Sequence, residues 1–278
     1  MALNDKPSHA AGYDQNRTAI IRQACLEVAT RLNDFQNDLC IVGGLVPSLL
    51  VDIAQLPAGA PAHIGTNDLD LGLSLAIFNE QKYEEIAQRL RQAGFKRDVN
   101  QDGKLTSQRW QLGKGVLIDF LIQPSSARER GGSLKNLEGD FAAVITPGLH
   151  LAFMDFEEVR VEGEALHGGM ATRTVRVCGP GAFLVLKALA FRGRGETKDA
   201  YDLWYLLQHR QDAIGRFKAL TADPNTKLAM TILEEDFASA GAIGPARVAQ
   251  FLYQRSDDNL QADVAGLVRR LLAGVGVP

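Results

Sequence analysis

Cysteine is scarce in this chain, with only Cys25, Cys40 and Cys178 among 278 residues. An odd number, without CxxC spacing or a nearby histidine cluster, argues against both a disulfide framework and a zinc site, and we expect reduced, mostly buried thiols. Neither sign of charge dominates. A net charge of −3 and a pI near 6.0 argue against a protein that coats nucleic acid non-specifically, which requires a broad basic surface, but they leave room for a local basic groove. Long apolar runs are also missing. No run approaches the length of a bilayer span, and the opening "MALNDKPSHAAGYDQN" lacks a basic end followed by an apolar core, so the expected compartment is the cytosol, with no membrane partner. There is no internal repeat and no low-complexity tract. What is present is 46% apolar residues, enough for a real core in one large domain or two modest ones.

The order of elements follows from periodicity. Residues 1–13 are small and polar and read as a loose tail. "DQNRTAIIRQACLEVATRLNDF" repeats apolar residues at helical spacing through Ile20, Ile21, Ala24, Cys25, Val28, Leu32 and Phe35. "DLCIVGG" followed by "LVPSLLVDIAQL" reads as strand, tight turn and helix, and "PAGAPAHIGTN" reads as a loop. "NEQKYEEIAQRLRQAGF" is an amphipathic helix with Gly94 as its stop, and "TSQRWQL" and "GKGVLIDFLIQP" are two strands joined by a glycine turn. Residues 124–139 read as a Ser-, Gly- and charge-rich connection, with strand-like pieces from 140 to 178 and helices from Gly179 onward. The expected fold is α+β: a mixed β-sheet domain with flanking helices over 14–178, followed by a C-terminal helical domain over 179–278.

The stretch "GTNDLDLGLSL" places two carboxylates at the head of a strand. Alternation puts Leu69, Leu71, Leu73 and Leu75 on one face and Asp68, Asp70, Gly72 and Ser74 on the other, so the two acids sit side by side. Either that face is wet or a cation sits between them. Asp119 interrupts the apolar run "VLIDFLIQ", where an unpaired carboxylate costs roughly 2–7 kcal/mol. It either pairs with an arginine or a backbone N–H, or joins Asp68 and Asp70 in a three-carboxylate cluster suited to a hard cation such as Mg²⁺.

Gly43 and Gly44 lie between a strand and a helix, where they serve a tight turn or let the backbone approach an anion, with Ser48 one turn further on. In "VLKALAFRGRGETKDAYDLWYLL", Lys187 interrupts an apolar helix and must find an anion if buried. Lys198 and Asp202, four apart, form either a surface ion pair or part of a cationic wall facing phosphates.

A Gly-Gly turn, an Asp-x-Asp strand and a third strand aspartate, in that order, resemble the nucleotidyltransferase fold of the DNA polymerase beta superfamily. The run from Lys187 through the Arg-rich turn to "KDAYDLWYL" is similar to the signature of the AbiEii/AbiGii-like family, the toxins of a class of bacterial toxin–antitoxin and phage-defence systems. The likeness covers about residues 38–210. The chain departs from the superfamily in having Gly44 where a serine often follows the first glycine, with Ser48 as the nearest hydroxyl, and in carrying an inserted "LPAGAPAHIG" between the turn and the acids.

The resemblance implies that Asp68, Asp70 and Asp119 hold Mg²⁺ or Mn²⁺, and that Gly43 and Gly44 form the phosphate turn. It also implies that Lys187, Lys198, Asp199 and Asp202 face the nucleotide or hold the helical domain to the sheet, with Lys187 offsetting phosphate charge. The activity implied is transfer of a nucleoside monophosphate from an NTP to an acceptor hydroxyl with release of pyrophosphate. The family favours an RNA acceptor, a tRNA end, and a cognate antitoxin protein as partner. Arg192, Arg194 and Lys198 with Arg160, Arg173 and Arg176 are the candidates for a local basic groove. A small-molecule acceptor such as an aminoglycoside, and a catalytically silent binding or regulatory member, are the alternatives.

Overall fold

A computed structural model describes residues 7–74, 80–100, 102–113 and 115–276. They form two compact units, one built from 15–46 and 65–178, the other from 7–14, 47–64 and 179–276. The sheet and the C-terminal helices thus part at Cys178 and Gly179, while two earlier segments join the helical unit.

The elements up to Cys178 are α1 (Gln15–Arg31), β1 (Leu39–Val42), α2 (Val46–Leu50), β2 (Asp68–Leu73), α3 (Glu80–Gln92), β3 (Lys96–Val99), β4 (Leu105–Leu112), β5 (Val116–Ile122), β6 (Leu134–Glu138), β7 (Phe141–Ile145), α4 (Leu151–Met154), β8 (Phe156–Glu164) and β9 (Met170–Cys178). The strands make one mixed sheet in the order β3-β4-β5-β2-β1-β9-β8, with β7 pairing to both β5 and β6. β2 and β5 run parallel at its centre, and β1 and β4 flank them antiparallel.

Alternation along β2 holds as the residue order demands. Leu69, Leu71 and Leu73 share register with Ile118, Phe120 and Ile122, so all six lie on one face. Phe120 meets Phe141 edge to face at 4.9 Å, and Trp110 meets the same ring at 6.0 Å, giving this face an aromatic core. Leu75 lies outside the described residues. In α1, Ile21, Ala24, Cys25 and Val28, and Leu32 just beyond it, are buried as their spacing requires, whereas Ile20 is 37% exposed and does not belong to the core stripe. Gly94, at φ +84°, ends α3, a backbone conformation that costs glycine little. Two strands depart from expectation. β3 precedes the expected pair, and β6 lies within the segment read as a connection. Both are edge strands with charged, partly exposed side chains, so neither carries the apolar alternation by which a half-buried strand is recognised. All three cysteines are buried and free, and burial pushes the Cys25 and Cys40 thiols up to about 12.

The second unit contains α5 (Pro180–Arg194), α6 (Thr197–His209), α7 (Ala213–Ala219), α8 (Pro224–Phe237), α9 (Ile243–Tyr253) and α10 (Asp258–Val275). Pro180 and Pro224 open their helices, where a missing N–H costs nothing, and the left-handed Gly195 closes α5. The short α7 has no periodic signal long enough to be read from sequence. Segment 47–64 is tied to α6: the Tyr201 hydroxyl accepts from the Ile64 N–H at 3.0 Å, and Tyr205 donates to the Pro61 carbonyl at 3.2 Å.

A network of buried charges holds this unit. Lys187 Nζ reaches Asp199 Oδ1 and Asp202 Oδ2, each at 2.8 Å, and Arg194 grips Asp199 through Nε at 2.6 Å and Nη2 at 2.8 Å. Lys198 pairs with Asp202, so this couple is interior, and the surface alternative is corrected. His63 Nε2 lies 2.8 Å from Asp202 Oδ1, and its Nδ1 lies 3.1 Å from Ser48 Oγ. Burial alone would raise Asp202, but the charges of Lys187 and Lys198 outweigh it and hold the carboxyl well below its usual range. Two lysines already balance Asp202, so a further positive charge on His63 is unwelcome. Burial, reinforced by Lys198, lowers the imidazole from 6.5 to about 4.

The sign of the resulting pH dependence follows from linkage. As pH falls, the unfolded imidazole takes up its proton near 6.5, while the folded one resists until about 4, so stability falls across that window by about 3 kcal/mol. Urea denaturation of wild type and His63→Gln between pH 7 and pH 4 checks this. The slope should flatten in the variant, and identical slopes would mean that His63 is already charged in the fold.

Candidate active site

The face of the sheet opposite the aromatic core carries the acids. Register aligns Val42, Asp70, Asp119 and Arg109 across β1, β2, β5 and β4, and Asp68 lies on the same face, two residues before Asp70 in β2. Parallel pairing of β2 with β5 thus sets Asp119 directly beside Asp70. Asp68, Asp70 and Asp119 each offer a carboxylate oxygen, and these lie within 4.8 Å of one another. Asp68 is 4% and Asp119 9% exposed, and Asp70 is half-buried.

Three carboxylates this close repel one another strongly. Arg109 relieves part of that repulsion: its Nε donates to Asp119 Oδ1 at 2.7 Å and its Nη2 to Oδ2 at 2.5 Å. The Asp119 hydrogen bonds raise the guanidinium above its ordinary value, with added attraction from Asp68 and Asp70. Both alternatives left open for Asp119 therefore hold together, since it pairs with an arginine and also joins the cluster. An all-oxygen donor set of this span suits a hard divalent cation such as Mg²⁺, with metal–oxygen distances of about 2.0–2.1 Å, or Mn²⁺.

The glycine pair is pressed against the acid strand. Gly43 has φ +70°, and a Cβ there would fall on the Asp70 carboxylate, while a Cβ on Gly44 would meet Thr66 Oγ1 at 2.6 Å. At Gly43 both the backbone angle and the space disfavour a side chain, and at Gly44 the space does. Thr66 donates from Oγ1 to Asp68 Oδ1 at 3.1 Å, which steadies the first acid.

The expected site residues fall into two constellations. Gly43, Gly44, Asp68, Asp70 and Asp119 come together in the first unit. Ser48, Lys187, Lys198, Asp199 and Asp202 come together in the second, linked through His63. The anion that buried Lys187 finds there is the pair Asp199 and Asp202.

The expected basic groove is not a single surface within the sheet. Arg160 pairs in register with Thr174 and shares a face with Arg176, while Arg173, at the intervening strand position, projects from the other face. Arg192 is occupied by Glu235 and Asp236.

Arg109, Thr66 and His63 escaped sequence reasoning. A signal for Arg109 existed: counting outward from the glycine turn, with Leu112 opposite Val116, brings Arg109 opposite Asp119. His63, alone in a Pro- and Gly-rich loop, offered none.

Removing Arg109 should expose the repulsion it offsets. In metal-free buffer Arg109→Met is expected to lower Tm by several degrees, and Mn²⁺ should restore more of the loss than it adds to wild type. Thermal melts with and without Mn²⁺ test this, and equal Mn²⁺ shifts in the two proteins would contradict the role given to Arg109.

A solved structure, the antigenic nucleotidyltransferase-like protein from Paracoccidioides brasiliensis, is similar to this chain at 16% identity and a TM-score of 0.41. The match covers 77% of this chain and 94% of that one. No curated protein matches. A family model described as nucleotidyltransferase matches residues 23–206, a span that takes in the glycine turn, the three acids and the Lys187 to Asp202 segment. With more than half its length matched, the chain belongs to the nucleotidyltransferase family.

Proposed function

We propose that this nucleotidyltransferase moves a nucleoside monophosphate from an NTP to an acceptor hydroxyl on RNA, a tRNA end, as the cytoplasmic toxin of a toxin–antitoxin or phage-defence system. The observation that carries the transfer reading is the convergence of Asp68, Asp70 and Asp119 on one sheet face with oxygens within 4.8 Å. Bound there, Mg²⁺ or Mn²⁺ would neutralise triphosphate charge and favour an activated acceptor oxygen.

The chain's own residues set the conditions for that chemistry. Asp68 and Asp70 supply oxygen ligands from one rigid strand, and Thr66 fixes the first of them. Arg109 holds Asp119 by both oxygens, which orients the third carboxylate and tempers its charge. Gly43 and Gly44 bring bare backbone close to Asp70, where N–H groups can meet a phosphate. Lys187 and Asp202 act as positioning residues, because a phosphate reaching the Lys187 ammonium must compete with Asp199 and Asp202. The RNA acceptor and the antitoxin partner rest on the AbiEii/AbiGii-like resemblance of the Lys187 to Leu206 run. A small-molecule acceptor is the second reading. It is supported by the net charge of −3 and by the engagement of Arg192 and Arg194 with acidic side chains.

Incubation with each labelled NTP, Mg²⁺ and either total tRNA or an aminoglycoside separates these readings. Labelled tRNA is the expected product, and Asp70→Asn should reduce transfer by at least about a hundredfold, the scale of one lost preorganised electrostatic contact. Full transfer by Asp70→Asn would sink the mechanism, and a labelled aminoglycoside without labelled tRNA would replace the RNA acceptor. Expression in bacteria should arrest growth for wild type and not for Asp70→Asn, with relief by a separate antitoxin protein. Healthy growth of cells overproducing active enzyme without such a partner would remove the toxin role.

A further inference from the structure

The helical unit contains a cleft of about 440 Å³ whose residues take no part in either constellation described above. It is walled by Ser8 and His9, by Thr197 at the start of α6, and by the outer side of α9 with the residues just beyond it, including Arg247, Gln250 and Gln254. The lining offers a guanidinium, an imidazole, hydroxyls and amides, and contains no carboxylate.

Two lining atoms are buried without any hydrogen-bond partner, Arg247 Nε and His9 Nδ1. Among the described residues no acid pairs with Arg247, whereas Arg109, Arg192, Arg194 and Arg210 each hold one. A buried donor left unmade is costly, more so when charged, and a ligand bearing acceptor oxygens would recover that cost. α6 begins on the cleft wall at Thr197. At the far end of α9, Gln254 adopts the left-handed conformation at φ +55°, a backbone cost that folded proteins retain where surroundings enforce it.

We propose that this cleft binds a phosphate group, carried either by a free mononucleotide-sized molecule or by the backbone of single-stranded RNA. The fork of Arg247 matches two phosphate oxygens at once, His9 and the Ser8 and Ser256 hydroxyls supply further donors, and the volume suits a ligand of mononucleotide size. The site stands independently of the transfer reaction, so it is tested by binding in an Asp70→Asn background in which turnover is removed.

Inorganic phosphate and AMP, followed by ³¹P line broadening, form one arm, and a short fluorescein-labelled single-stranded RNA, followed by anisotropy, forms the other. Each is titrated against otherwise wild-type protein and against Arg247→Met, Arg247→Lys and Gln250→Glu. At least one arm should show binding, weakened about tenfold or more by Arg247→Met and by Arg247→Lys, which keeps the charge but loses the fork. Gln250→Glu, a change on an exposed helix position, should weaken it similarly with Tm preserved, which keeps the test valid if Arg247→Met fails to fold. Binding of phosphate and AMP assigns a small-molecule site, and binding of RNA alone assigns a backbone site. No binding in either arm overturns the proposal, as does binding that Arg247→Lys and Gln250→Glu leave unchanged, since that would be diffuse attraction.

Discussion

The parallel pairing of β2 with β5 is the constraint on which the acid cluster depends. It places Asp70 and Asp119 in register, and because side chains alternate across a strand, Asp68 follows onto the same face while the leucines between them enter the core. A slip of one residue in this pairing would turn an acid into the aromatic core formed by Trp110, Phe120 and Phe141, at the cost of burying a carboxylate among apolar side chains. The core face therefore enforces the register, and the register assembles the cluster. The antiparallel partner β4 then brings Arg109 against Asp119, so a guanidinium holds one of the three carboxylates.

The second unit solves a related problem by different means. Lys187, Lys198, Asp199 and Asp202 are all buried, and each is matched by opposite charge within the unit. Burying matched pairs is seldom a source of net stability compared with an apolar core, while breaking one is costly because the remaining charge has no water to turn to. Such a network specifies one arrangement of α5, α6 and the His63 loop against others. The acid cluster differs, because it gathers three carboxylates on one sheet face, with Asp119 paired to Arg109.

Much of this was legible in the residue order and some was not, for identifiable reasons. The alternation in "DLDLGL" separated acids from leucines without ambiguity, because period-two patterning is local. The lone carboxylate in "VLIDFLI" announced a partner through its cost, and Arg109 is that partner, while the cluster with Asp68 and Asp70 is present beside it. Gly43 could be read as a turn residue or as a point where backbone approaches an anion; that Asp70 fills the space of its missing Cβ is a tertiary fact. β6 and α7 were invisible because an edge strand and a two-turn helix carry too little periodic signal. The Lys198–Asp202 spacing suggested a surface pair, and burial by distant aromatic residues, which no local pattern encodes, made it an interior one. Family membership rests on the matched span of residues 23–206, and the order of the motifs within it had already pointed the same way.

The central claim is that Asp68, Asp70 and Asp119 form a cation site. Anomalous scattering from crystals soaked in Mn²⁺, collected for wild type and Asp70→Asn, tests it most directly. A manganese peak bounded by the three carboxylates in wild type and absent from Asp70→Asn is the expected result. Manganese bound elsewhere, or a cluster that stays empty with Asp119 held by Arg109 alone, would contradict it.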